Sequence, residues 1–129
     1  MSKIPVRGVL FLLTLSAAPA WAGSATVDVV ERGAKGRTVT HRFVVALSDD
    51  GRPSKIESAS GRVRHKLSVQ WTSPKGQTAM LQLDLRQDRG ADSVSIAVTN
   101  RVPLGKRVVV GRVPRSAGGA VQVAVVLSR

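Results

Sequence analysis

The chain has 129 residues, no cysteine, and 20 Lys and Arg against 8 Asp and Glu. That length suits one domain with a modest core, and the missing cysteine excludes a disulfide-stapled scaffold. The formal net charge of +12 points to acidic partners such as lipopolysaccharide, an anionic wall polymer, an acidic protein or nucleic acid. An aromatic content of only 3% argues against the last, because single-strand binders interleave basic residues with stacking aromatics.

Residues 1–22 read as a secretory signal peptide. Lys3 and Arg7 form a short basic region, Val9 to Leu15 an apolar run too short to span a bilayer, and Ala20-Trp21-Ala22 a small-x-small cleavage pattern. Cleavage is expected after Ala22, placing residues 23–129 in the periplasm or outside the cell as a single domain. That domain keeps a formal net charge of +10. Lipid anchoring through a processing-site cysteine is excluded.

A first strand is expected over residues 26–31 (T-V-D-V-V-E), followed by a loop at 32–36. Residues 37–48 alternate, with Val39, His41, Phe43, Val45 and Leu47 inward and Thr40 and Arg42 outward. Asp50-Gly51 predicts a hairpin that sets Val45 opposite Ile56. Ser60-Gly61 predicts a second turn, with Ile56 opposite His65 and Glu57 opposite Arg64.

Residues 62–72 (R-V-R-H-K-L-S-V-Q-W-T) form the clearest strand. Val63, His65, Leu67, Val69 and Trp71 take one face, and Arg62, Arg64 and Lys66 the other. A loop at Pro74-Lys75-Gly76 predicts Trp71 opposite Ala79, Val69 opposite Leu81, Leu67 opposite Leu83 and His65 opposite Leu85, with Lys66 meeting Asp84 outside. A turn at residues 88–91 predicts Leu85 opposite Val94, Leu83 opposite Ile96 and Leu81 opposite Val98. Pro103-Leu104-Gly105 is a further turn. Val108-Val109-Val110 is apolar on consecutive residues, so alternation does not choose its inward face. Residues 121–127 make the last strand, with Val121, Val123, Val125 and Leu127 aligned.

About eight short strands joined by short connections predict an all-β, antiparallel up-and-down meander, closed as a small barrel or folded as a sandwich. A membrane barrel is disfavoured: residues 23–129 contain Phe43 and Trp71 as their only aromatics, too few for interfacial girdles.

His41 and His65 are the candidates for metal or acid–base chemistry. The predicted register separates them by about 17 Å within one sheet, too far to share a metal, and makes each a core histidine. Asp49-Asp50 is assigned to turn chemistry. Glu57 and Asp84 are assigned as cross-strand partners of Arg64 and Lys66. No catalytic constellation and no cofactor or metal site follows from these residues.

Ser93 to Val113 (S-V-S-I-A-V-T-N-R-V-P-L-G-K-R-V-V-V-G-R-V) resembles the late strands of the secretin β-domain. There a strand is followed by a glycine turn and an apolar strand running into glycine. Gly111-Arg112 stands where that family often has paired glycines. The resemblance implies a component or companion of an envelope assembly.

The expected function is a non-catalytic envelope module that binds an anionic polymer or an envelope protein. Its binding residues are expected to be Arg32, Lys35 and Arg37 in the first loop, and Lys106, Arg107, Arg112 and Arg115 near the C-terminal strands. The alternative is a small barrel that carries a ligand, or acts as an enzyme, through an interior site near His41 or His65.

Overall fold

The computed structural model describes residues 21–129 apart from 34 and 117. The expected signal peptide therefore lies almost wholly outside the described residues. Eight strands follow one another: β1 (Trp21–Arg32), β2 (Thr38–Ser48), β3 (Ser54–Ser60), β4 (Val63–Lys75), β5 (Thr78–Arg89), β6 (Asp92–Pro103), β7 (Val108–Pro114) and β8 (Ala120–Ser128). Among the described residues there is no helix. β1 starts two residues before the expected cleavage site, and its register shifts between Trp21 and Gly23.

The ladders divide the strands into two four-stranded antiparallel sheets. Sheet A has the order β2-β1-β8-β7 and sheet B the order β3-β4-β5-β6. Taken round both sheets, this is the cyclic order of an eight-stranded meander. Two neighbour pairs, β2 with β3 and β6 with β7, form no ladder, so the meander is flattened into a sandwich.

Alternation explains the core. Ala25, Val27 and Val29 of β1 and Val121, Val123, Val125 and Leu127 of β8 are fully buried. Leu67, Val69 and Trp71 of β4 and Leu81, Leu83 and Leu85 of β5 face them from sheet B. β2 keeps its expected parity through Phe43, Val45 and Leu47, but Val39 at its edge-strand start is 43% exposed.

The first predicted hairpin does not form. Asp50-Gly51 makes a turn in which Arg52 N–H and Ser48 Oγ–H both donate to Asp50 Oδ1, at 3.0 and 2.5 Å. That turn carries the chain from one sheet to the other. Val45 pairs with Ala25 of β1, and Ile56 pairs with Leu67 of β4.

The next three hairpins form, each displaced by two residues in the same direction. Ile56 lies opposite Leu67, Leu67 opposite Leu85, and Leu85 opposite Ile96. The cause is common. Each turn is a two-residue loop that begins with glycine: Gly61-Arg62, Gly76-Gln77 and Gly90-Ala91. These glycines take φ of +61°, +66° and +60°, the first-position geometry of primed hairpin turns. A slip of two keeps every side chain on its face, so apolar matching does not detect it. At the middle hairpin a bulge between Thr72 and Lys75 accommodates Pro74.

A second bulge settles the facing of Val108-Val109-Val110. Val109 pairs with Ala124 and Gly111 with Val123, leaving Val110 as the extra residue. Val108, Val110 and Val113 then pack on the core, and Val109 is half exposed.

The two seams are closed by other means. Ser54 Oγ–H donates to the Ala46 carbonyl across the β2/β3 seam at 2.6 Å. At one end of the β6/β7 seam, Gly105 N–H reaches the Leu127 carbonyl of β8 at 2.8 Å, next to the Leu104 N–H to Gln77 carbonyl bond of 2.7 Å that prolongs the β5/β6 ladder. β7 also approaches β6 closely at Gly111, where a Cβ would stand 2.8 Å from Ile96 Cγ2.

Candidate functional site

The sandwich has two unlike ends. The proximal end carries the start of β1, the C-terminus, and the connections 49–53, 76–77 and 104–107. The distal end carries the β1–β2, β3–β4, β5–β6 and β7–β8 connections. Side chains with functional chemistry concentrate at the distal end, in an interior layer and an outer layer.

The interior layer arises where polar residues occupy inward positions. Glu31 continues the inward set Ala25, Val27 and Val29, and Gln87 continues the set Leu81, Leu83 and Leu85. Glu31 is 6% exposed and Gln87 fully buried. Glu31 Oε2 accepts from His41 Nε2 at 2.8 Å, and its Oε1 accepts from Arg89 at 2.6 Å and Arg115 at 3.2 Å. Arg115 also donates to Asp92 Oδ2 at 2.5 Å and to Gln87 Oε1. The Gln87 amide N–H then donates to His65 Nε2 at 3.0 Å.

The two histidines are not about 17 Å apart, as a single-sheet register requires. Their ring centroids lie 4.6 Å apart, and Phe43 sits edge-on to His65 at 5.2 Å. β2 and β4 belong to opposing sheets, so two inward-facing histidines meet across the sandwich instead of being spread along one sheet.

Electrostatics follow from this packing. Burial, reinforced by the neighbouring His41 and opposed by Glu31, pushes His65 down to about 4. The imidazole is therefore neutral near pH 7, consistent with Nε2 accepting from Gln87. Burial raises Glu31, but hydrogen bonds from Arg89 and His41 outweigh it and hold the carboxyl below its ordinary value. Two carboxylates and two guanidiniums balance within the cluster, Glu31 and Arg115 buried and Arg89 and Asp92 reaching toward solvent.

No protein-family model, curated protein or solved structure matches this chain. The functional reading therefore rests on the chain's own geometry.

The outer layer is basic. Arg32, Lys35 and Arg37 are exposed at the β1–β2 connection. Arg62 lies in the β3–β4 turn, and Arg64 and Arg86 lie nearby on the outer face of sheet B. Among the described residues none of Arg32, Lys35, Arg37, Arg62 or Arg64 forms an ion pair.

The other expected binding residues are dispersed. Arg112 is exposed on β7, while Lys106 and Arg107 stand at the proximal end. Arg107 approaches Asp28 at 3.8 Å. Asp28 is buried on the outer side of sheet A and is clamped by Arg42 at 2.8 and 3.1 Å. The Arg42 hydrogen bond, against some burial, lowers its carboxyl. Arg115 belongs to the interior layer, its side chain 9% exposed, and is not a surface charge.

The compensation expected along the central strand also differs. Glu57 stands opposite Lys66, at 4.0 Å, and Asp84 stands opposite Ser68. Arg64 faces Asp88 in the ladder, but Asp88 Oδ1 accepts from Arg86 at 3.1 Å and Ser93 at 2.7 Å. Sequence reasoning missed Glu31, Gln87, Arg89 and Asp92. The usable signal was polar residues in phase with apolar ones at the ends of β1 and β5.

Proposed function

We propose that this protein is an exported, non-catalytic envelope module that holds an anionic polymer or surface through the distal end of its sandwich. Residues 1–22 are its signal peptide, removed after Ala22. The observation that carries the reading is the convergence of Arg32, Lys35, Arg37, Arg62 and Arg64 at one end, without ion-pair partners among the described residues. Charges gathered in this way attract polyanions over roughly a Debye length. The non-catalytic part is supported by the histidines: His41 Nε2 is engaged by Glu31 and His65 Nε2 by Gln87.

Intact mass of the protein from a periplasmic fraction tests export, with a chain beginning at Gly23 expected; a chain still starting at Met1 refutes it. Retention on heparin, as a model polyanion, tests binding. Affinity should fall steeply with salt, because exposed charges are screened within about 8–10 Å at physiological ionic strength. Replacing Arg32, Lys35 and Arg37 by serine should weaken retention more than replacing Lys106 and Arg107. Equal loss per charge would mean that only net charge acts, and no retention of the parent at low salt removes the anionic-partner reading.

A further inference from the structure

Two of the three glycine turns of sheet B, at Gly61 and Gly90, lie side by side at the distal end, with Gly90 N–H directed at the Arg62 carbonyl at 3.4 Å. Beside them a shallow depression of about 510 Å³ has a floor of small residues, among them Gly61, Gly90 and Ser93. Arg62, Arg64 and Arg86 also line it, together with one carboxylate, Asp88.

The charges around it are basic in excess: Lys66 and Arg86 each have one acid, Glu57 at 4.0 Å and Asp88 at 3.1 Å, and among the described residues Arg62 and Arg64 have none. Lys66 lies directly opposite Arg86, and Arg64 is the next outward residue along the same strand. Like charges directly opposite destabilise a ladder. Asp88, the acid at this place, is turned toward Arg86 Nε and Ser93 and does not neutralise Arg64. Its single contact holds Arg86 while leaving the guanidinium's terminal amines without a partner among the described residues. Places where a local rule is broken are expected to be functional or strained. The basic residues lining the depression are guanidiniums, whose planar forks match the oxygens of phosphate and sulfate.

We infer that the depression between the β3–β4 and β5–β6 turns is a subsite for a phosphate or sulfate ester carried on a glycan, held by Arg62, Arg64 and Arg86. This deepens the proposed function and rests on it. The ester's oxygens accept from Arg64 and Arg86. The glycine floor lets the sugar approach the backbone.

The test uses the chain from Gly23 and a heparin-derived hexasaccharide, read by calorimetry and by amide shifts at Gly61 and Gly90. Arg64→Gln with Arg86→Gln should lower affinity by about tenfold or more, whereas Lys35→Gln with Arg37→Gln, which removes the same charge, should lower it much less. Arg64→Lys with Arg86→Lys keeps the charge but loses the fork, and should fail to restore affinity. All these side chains are exposed, so thermal unfolding should show the fold intact. Equal losses in the two glutamine variants, or full affinity in the lysine variant, overturn the subsite while leaving the basic-end reading in place. No binding of hexasaccharide, inorganic phosphate or sulfate by the parent overturns both. Saturation by inorganic phosphate or sulfate without hexasaccharide binding would make the ligand a free anion and overturn the glycan assignment.

Discussion

At the scale of single residues, the orientation of one amide matters most. Gln87 offers its oxygen to Arg115 and its N–H to His65. A proton on His65 Nε2 would confront that N–H with a second donor, and turning the amide would break its bond to Arg115. Protonation of His65 is thus opposed by burial and by the network together. His65 titrates near 4 in the fold and near 6.5 when unfolded. Between those values the unfolded chain binds a proton that the folded chain does not, so stability rises with pH across this window and is lost on acidification. The full loss is about 3 kcal/mol. Glu31 and Asp28, both lowered, extend the loss below that window, because their stabilisation disappears as pH falls through their folded values. Urea unfolding from pH 7 to pH 4 should show this decline. His65→Gln, which keeps an acceptor for Gln87 but does not titrate, should flatten the curve between 6.5 and about 4. An unchanged slope in that variant would assign the window to another group.

At the scale of elements, turns set the register and bulges set the facing. Parity alone allows Leu67 to pair with Leu83 or Leu85, since both point inward. The choice falls to Leu85 because the glycine occupies the first loop position, where a positive φ is required. Substituting Leu83, fully buried at the centre of sheet B, by alanine should cost about 2–5 kcal/mol. Gly111→Ala tests the β6/β7 approach. Its added methyl meets Ile96 Cγ2 at 2.8 Å and Val98 Cγ2 at 3.4 Å, an overpacking expected to cost about 1–3 kcal/mol. Combining it with Ile96→Leu, which lacks the Cγ2 methyl, should recover part of that loss; additive losses in chemical denaturation would place the strain elsewhere.

At the scale of the whole molecule, the two open seams leave β2, β3, β6 and β7 each with one unladdered edge. Amide exchange should separate the strands accordingly. Amides of β1, β8, β4 and β5, laddered on both sides, should be protected most, and outward-directed amides of β2 and β3 should exchange fast. Uniform protection across β2 and β3 would indicate a closed barrel instead. The same topology assembles both distal layers, since antiparallel connections return four turns to one end.

The alternating residues determined by themselves that this chain is all-β, and they determined the faces of β2, β4, β5 and β8 through most of their lengths, because side-chain direction repeats every two residues and is a local property. Even the extra valine at 108–110 was visible as a break in that period. Register was not decided locally. A slip of two preserves every face, so the turns chose it, with glycine in the first loop position and a bulge at Pro74. The division into two sheets was decided only by tertiary packing, since here the Asp50-Gly51 turn joins β2 to β3 with no ladder between them. From that division follow the meeting of His41 with His65 and the withdrawal of Arg115 from the surface into contact with Glu31, whereas the opposition of Lys66 to Arg86 follows from the hairpin register. The first two are contacts between residues far apart in the chain, brought together by closure of the core.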